Sequence, residues 1–100
     1  KIQSRISCDV IVYFDKIGRQ AVIHSISENF KANMTTEEIW KQLDDKFFAH
    51  IHVSYIINLG HIRAIEGDEV VMDNEERLLI ARSHKQNLKE KHMEFVRRMV

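Results

Sequence analysis

Short β-branched and aromatic runs fill most of the chain, and only the last fifth changes period. Val10 to Phe14 and Ala21 to Ile26 read as two strands, with Lys16, Ile17, Gly18 and Arg19 as the turn between them. Glu28 to Asn33 sets Phe30 and Ala32 on one face by period two, a third strand. Thr35 to Asp44 switches to helical spacing, with Ile39, Trp40 and Leu43 on one side. Thr35 and Glu38 have the spacing of a capping box, which satisfies two backbone donors at a helix start. Strand patterns then return at Phe48 to His52, Tyr55 to Leu59, Arg63 to Ile65, Glu69 to Met72 and Arg77 to Ala81. Asp73, Asn74, Glu75 and Glu76 form the turn of a hairpin, although glutamate resists the positive φ that such turns favour. Finally Leu88, Phe95, Val96 and Met99 recur at helical spacing, so a terminal helix runs from about His84 to Met99. Ser83, three residues before Gln86, is its expected cap. The fold class is therefore mostly β: short antiparallel strands in small sheets, one short internal helix and a C-terminal helix.

One hundred residues make one domain, large enough to hold a single core without staples. With 44% hydrophobic and 30% charged residues the chain is a folding sequence, and zero prolines with three glycines exclude a low-complexity linker. The lone cysteine, Cys8, excludes an internal disulfide framework and fits a reducing, cytoplasmic setting. No apolar run has the length of a membrane span. The start at Lys1, without methionine, reads as a domain, residues 1–100, excised from a longer protein. The 15 basic and 15 acidic residues cancel, which excludes bulk polycation behaviour but not a local patch. Glu66 to Glu76 holds six acidic and no basic residues, whereas Arg77 to Val100 holds seven basic and two acidic ones.

Candidate chemistry is sparse. His50 and His52 are two apart on a strand, which by alternation places both on one face and makes a pair of metal ligands. A structural zinc site wants four ligands, and only Cys8 and distant histidines remain to complete one, so no metal or cofactor is expected. Ser54 near His52 and Ser83 beside His84 supply residue types for nucleophilic catalysis, but no nucleophile elbow, P-loop or dinucleotide fingerprint accompanies them. Arg82, Ser83, His84, Lys85 and Lys89 cluster at the start of the last helix. Three cations there oppose the helix dipole, and a phosphate would relieve the conflict. The segment is thus either a contact for a nucleic-acid backbone or a solubilising face. Ser54 and Asn58, small polar residues within an apolar run, either fix a loop by side-chain hydrogen bonds or are ordinary turn residues.

The run Phe47-Phe48-Ala49-His50-Ile51-His52-Val53-Ser54-Tyr55-Ile56-Ile57-Asn58-Leu59 resembles the signature of the LytTR DNA-binding domain, in which a phenylalanine and a histidine precede Ser-Tyr-Ile-Val-Asn. The order of features agrees: Asp9 to Phe14 and Val22-Ile23-His24 resemble the opening hairpin. Ile62 to Ile65 and Val70 to Asn74 resemble the later strands, and Leu79-Ile80-Ala81-Arg82-Ser83 with Lys85 and Leu88-Lys89 the approach to the last helix. The resemblance implies a non-enzymatic domain that binds double-stranded DNA in the major groove through loops. Those loops would be Lys16 to Arg19, His52 to Ser54 and Arg82 to Lys85. Arg19 and Arg82 would read guanine, while Ser54, Ser83, His84, Lys85 and Lys89 would hold phosphates. It further implies the output half of a bacterial transcription regulator of the two-component type, dimerising on repeated sites through the full-length protein.

Three positions depart from the family pattern. Val53 stands where a polar or basic residue is usual; it donates no hydrogen bond but can touch a thymine methyl. Ser83 stands where a second base is common, and Asn74-Glu75 lacks the usual glycine. The first two imply a shifted DNA preference or weaker specificity. Two rival readings remain: a protein-interaction module using the terminal helix, and a small metal enzyme using His50 and His52.

Overall fold

The computed structural model describes residues 8–100. The first seven residues of the expected 1–100 domain lie outside the described residues. A short 3-10 turn at Cys8–Val10 leads into β1 (Ile11–Ile17), followed by β2 (Gln20–Ser25) and β3 (Asn29–Ala32). Helix α1 (Thr36–Trp40) precedes β4 (Phe48–His52) and β5 (Tyr55–Asn58). A second 3-10 turn, Leu59–His61, connects to β6 (Ile62–Glu66), β7 (Glu69–Met72), β8 (Arg77–Leu79) and α2 (Arg82–Met99). All pairings are antiparallel. The first five strands form one sheet in the order β3-β2-β1-β5-β4, and the last three a second in the order β6-β7-β8.

Alternation along β1 and β5 feeds two apolar cores on opposite faces of the large sheet. Ile11, Phe14, Ile23, Phe48 and Ile56 pack under α1 with Ile39. Val12, Tyr13, Ile51 and Ile57 pack with Val70, Met72 and Leu78 of the small sheet and with Leu88 of α2. Val12 and Tyr13 enter the same core because the β1–β2 register shifts between Ile11 and Tyr13; a bulge inserts one residue and turns the strand.

The Thr35 cap forms as the spacing implies. The Glu38 amide donates to Thr35 Oγ1 at 3.1 Å, and the Thr35 amide donates to Glu38 Oε1 at 2.9 Å. That amide, together with the Thr35 hydroxyl, holds the Glu38 carboxyl below its ordinary pKa. Thr35→Ala is expected to lower stability by about 1 kcal/mol, read as a lower urea midpoint at unchanged slope.

Three local expectations need correction. Helix α1 ends at Trp40, not Asp44, because the chain continues in tighter turns: Gln42 donates to the Ile39 carbonyl and Leu43 to that of Trp40. The Asp44 carboxylate then takes the Lys46 amide at 2.9 Å, a side-chain competitor that stops helical propagation. Helix α2 starts two residues early, at Arg82. Its cap is Ala81, with no side-chain bond, so Ser83 lies inside the first turn rather than capping it. Glu75 does adopt φ 72°, and Asn74 makes this tolerable by accepting from the Glu76 amide at 3.1 Å and donating to Glu76 Oε1 at 2.9 Å.

Of the two polar residues in the apolar run, Asn58 fixes the loop with its side chain. Its Nδ2 donates to the Ile11 carbonyl at 2.8 Å and that of Cys8 at 3.1 Å, and its Oδ1 accepts from the Gly60 amide at 2.9 Å. Ser54 contributes its backbone carbonyl instead, to Lys16.

Candidate nucleic-acid interface

The β1 ladder brings two turns together. Asp15 pairs with Tyr55, and one step further the Lys16 amide donates to the Ser54 carbonyl at 2.8 Å. The expected turn Lys16–Arg19 is shorter than its sequence implied, since Lys16 and Ile17 pair within the β1–β2 ladder and only Gly18, at φ 62°, and Arg19 reverse the chain; this hairpin end lies beside the end of the β4–β5 hairpin, where His52 closes β4 and Val53 and Ser54 turn. The start of α2 reaches the same end of the sheet. The Ala81 amide donates to the Ile51 carbonyl at 2.8 Å, and the His84 ring sits 6.4 Å from that of His50. Segments from Lys16 to Lys85 thus converge on one edge of the fold, although only the connecting ladders reveal it.

Arg19, Val53, Arg82, Ser83 and Lys89 are exposed there or nearby; Lys16, His52, Ser54, His84 and Lys85 are half-buried. Lys89 lies one helical turn beyond Lys85, stepping away from the turns along the α2 axis. The Ser54 amide donates to His52 Nδ1 at 3.1 Å, which shapes the turn and leaves Nε2–H as the donor of the neutral ring. Among the described residues no side chain caps the start of α2, the His84 amide donates to the Ala81 carbonyl at 2.9 Å, and no acidic residue sits in the first turn to complement the dipole.

Charge bookkeeping in three dimensions differs from that along the chain. The acidic run is largely absorbed: Glu66 and Glu69 take Arg77 at 3.0 and 3.4 Å, and Asp73 takes His61 at 3.0 Å. Glu76 accepts from the Tyr13 hydroxyl at 3.0 Å; burial first, then this contact, pushes the Tyr13 pKa upward. Part of the cationic segment is structural too. Lys91 donates to the Phe48 carbonyl at 2.7 Å and lies over the Trp40 ring, while Arg98 bonds the Lys46 carbonyl. Lys85 holds Asp68 at 3.0 Å, a surface pair that a phosphate would displace at little expense. Among the described residues, Lys16, Arg19, Arg82 and Lys89 take no carboxylate partner. The Asp68 contact to Lys85 was invisible in the sequence, where the two stand on different elements.

The expected His50–His52 pair does not form. The β4–β5 register shifts between these residues, so His50 pairs with Ile56 and His52 with Tyr55, which face opposite cores. His50 packs against Trp40, with ring centroids 4.4 Å apart and the planes inclined by 50°, and burial, with His84 and Lys91 near, pushes its pKa down, so it is neutral at pH 7. Among the described residues no three His, Cys, Asp or Glu side chains group as metal ligands. The terminal helix divides its apolar residues: Leu88 and Phe95 pack inward, Phe95 against Phe47 at 6.0 Å, while Val96 and Met99 stay exposed.

A family model described as the LytTr DNA-binding domain matches residues 3–93. The chain belongs to the LytTR family of DNA-binding domains. The fold agrees with this. A solved LytTr DNA-binding domain, from a protein described as a methyl-accepting/DNA response regulator of Bacillus cereus, superposes with a TM-score of 0.80 at 21% identity. The match covers 86% of this chain and 84% of that one. Comparison with curated proteins gives no match. The LytTR arrangement expected from the Phe47–Leu59 signature, small antiparallel sheets with one internal and one terminal helix, is the observed one. No helix among the described residues is long and apolar enough to cross a membrane.

Proposed function

We propose that this LytTR domain reads duplex DNA in the major groove through its three converging turns. The observation that carries the reading is the meeting of Lys16–Arg19, His52–Ser54 and Arg82–Lys85 at one end of the large sheet, with Lys16, Arg19 and Arg82 free of carboxylates. Arg19 and Arg82 present guanidinium forks, whose geometry matches guanine O6 and N7. Ser54, Ser83, His84, Lys85 and Lys89 position the phosphates, and the Arg82 and Ser83 amides in the first α2 turn add donors of the same kind. The domain acts by binding, not by catalysis. It serves a cytoplasmic transcription regulator as the output half of a two-component response regulator. Neutral net charge keeps non-specific affinity modest, so two copies in the full-length protein, dimerised on repeated sites, supply the avidity.

Selection from a random duplex library, followed by fluorescence anisotropy across a salt series, tests this reading. A short enriched motif is expected, with affinity falling as salt rises. Arg82→Ala is expected to cost about 1–3 kcal/mol at one base position and to relax the preference there. A uniform loss over all sequences would reassign Arg82 to a phosphate. Folded protein without salt-sensitive binding would sink the proposal and favour a protein partner for the exposed α2 residues.

A further inference from the structure

Within the same interface, two large apolar side chains stand in water. Ile17 is 57% exposed at the end of β1, and Val53 is 73% exposed at the tip of the β4–β5 turn. They are neighbours. Asp15 pairs with Tyr55 and the Lys16 amide bonds the Ser54 carbonyl, so Ile17 and Val53 each stand one residue from that bond, where the two hairpin ends meet. Lys16 and Arg19 flank the pair on one turn and His52 on the other. An apolar pair flanked by polar side chains gains nothing from water. Its burial becomes favourable only when something apolar covers it.

Resting on the DNA reading above, we propose that Ile17 and Val53 form one apolar contact surface for the 5-methyl group of thymine. The major-groove edges of the four bases offer hydrogen-bonding groups and a single apolar group, which is this methyl. The pair therefore selects a thymine beneath the two turns. This gives the departure at Val53 a positive role: the turn exchanges a hydrogen-bonding contact for a hydrophobic one.

The test uses the duplex enriched by selection. Each thymine is replaced in turn by deoxyuridine, which removes the methyl and leaves every hydrogen-bonding edge intact. Wild-type protein is expected to lose about fourfold in affinity at one or two adjacent positions, the worth of one buried methyl. Val53→Ala should bind the thymine and uracil duplexes equally at that position. Ile17→Ala should lower the discrimination, and Arg82→Ala should leave it intact. Both apolar residues are exposed, so circular dichroism should show these variants folded. Equal wild-type affinity for thymine and uracil duplexes at every position overturns the inference while DNA binding stands. Absence of any salt-sensitive DNA binding overturns the underlying reading instead.

Discussion

Truncating Phe14 to alanine is expected to remove about 3–5 kcal/mol of folding stability. Phe14 lies on the central strand of the large sheet and is fully buried. Its ring meets that of Phe48 at 6.1 Å and packs in the core that Ile11, Ile23, Ile56 and the α1 residue Ile39 complete. The loss has two parts, the transfer of the removed ring and the cavity left behind. Strands flank Phe14 on both sides and α1 caps the core, so the backbone cannot collapse into the space. Domains of this size are stable by about 5–15 kcal/mol, so the variant should sit near the edge of folding. Urea denaturation should show a large drop in midpoint with little change in slope. A drop worth under about 1 kcal/mol would mean that α1 closes over the gap, and that this half of the core is loosely held.

Asn58→Ala is expected to cost about 2–4 kcal/mol, more than a surface asparagine, because it strands groups rather than merely removing contacts. The Ile11 carbonyl and the Gly60 amide would both lose their side-chain partner, and Asn58 itself is buried. The same residue joins the chain entering β1 to the turn that leads from the large sheet to the small one. Asn58→Asp should be comparably damaging at neutral pH, since a carboxylate keeps the acceptor for Gly60 but opposes the Ile11 carbonyl oxygen. Asn58→Ala behaving like a surface substitution, with denaturation unchanged, would show that water replaces the side chain without penalty.

Local signals were legible wherever one segment contained the whole cause. The Thr35–Glu38 box formed because both partners lie within one turn of backbone. The hairpin at Asp73–Glu76 formed despite a glutamate at positive φ because Asn74, inside the same turn, braces it. The end of α1 was misjudged on local grounds, but two other errors arose where a neighbour outside the segment intervened. The Ala81 amide is taken by Ile51 of β4, and α2 begins directly after that contact, which leaves Ser83 inside the helix. Strict alternation put His50 and His52 on one face, but the bulge between them is a property of the β4–β5 pairing, not of β4 alone.

The candidate interface divides along the same line. The residue types in the three loops, and their likeness to the LytTR signature, were readable in order along the chain. The exposure of Ile17 and the meeting of its hairpin end with that of Val53 were not, nor was the pairing of Asp68 with Lys85. By itself, then, the sequence determined the number and kind of most elements, the mostly β class and the family, because periodicity, capping and turn chemistry act over a few residues. Only the tertiary structure decided which cations stay available, which histidines part and which turns meet, because ladder registers and ion pairs join groups far apart in the chain, and their energies depend on distance in space.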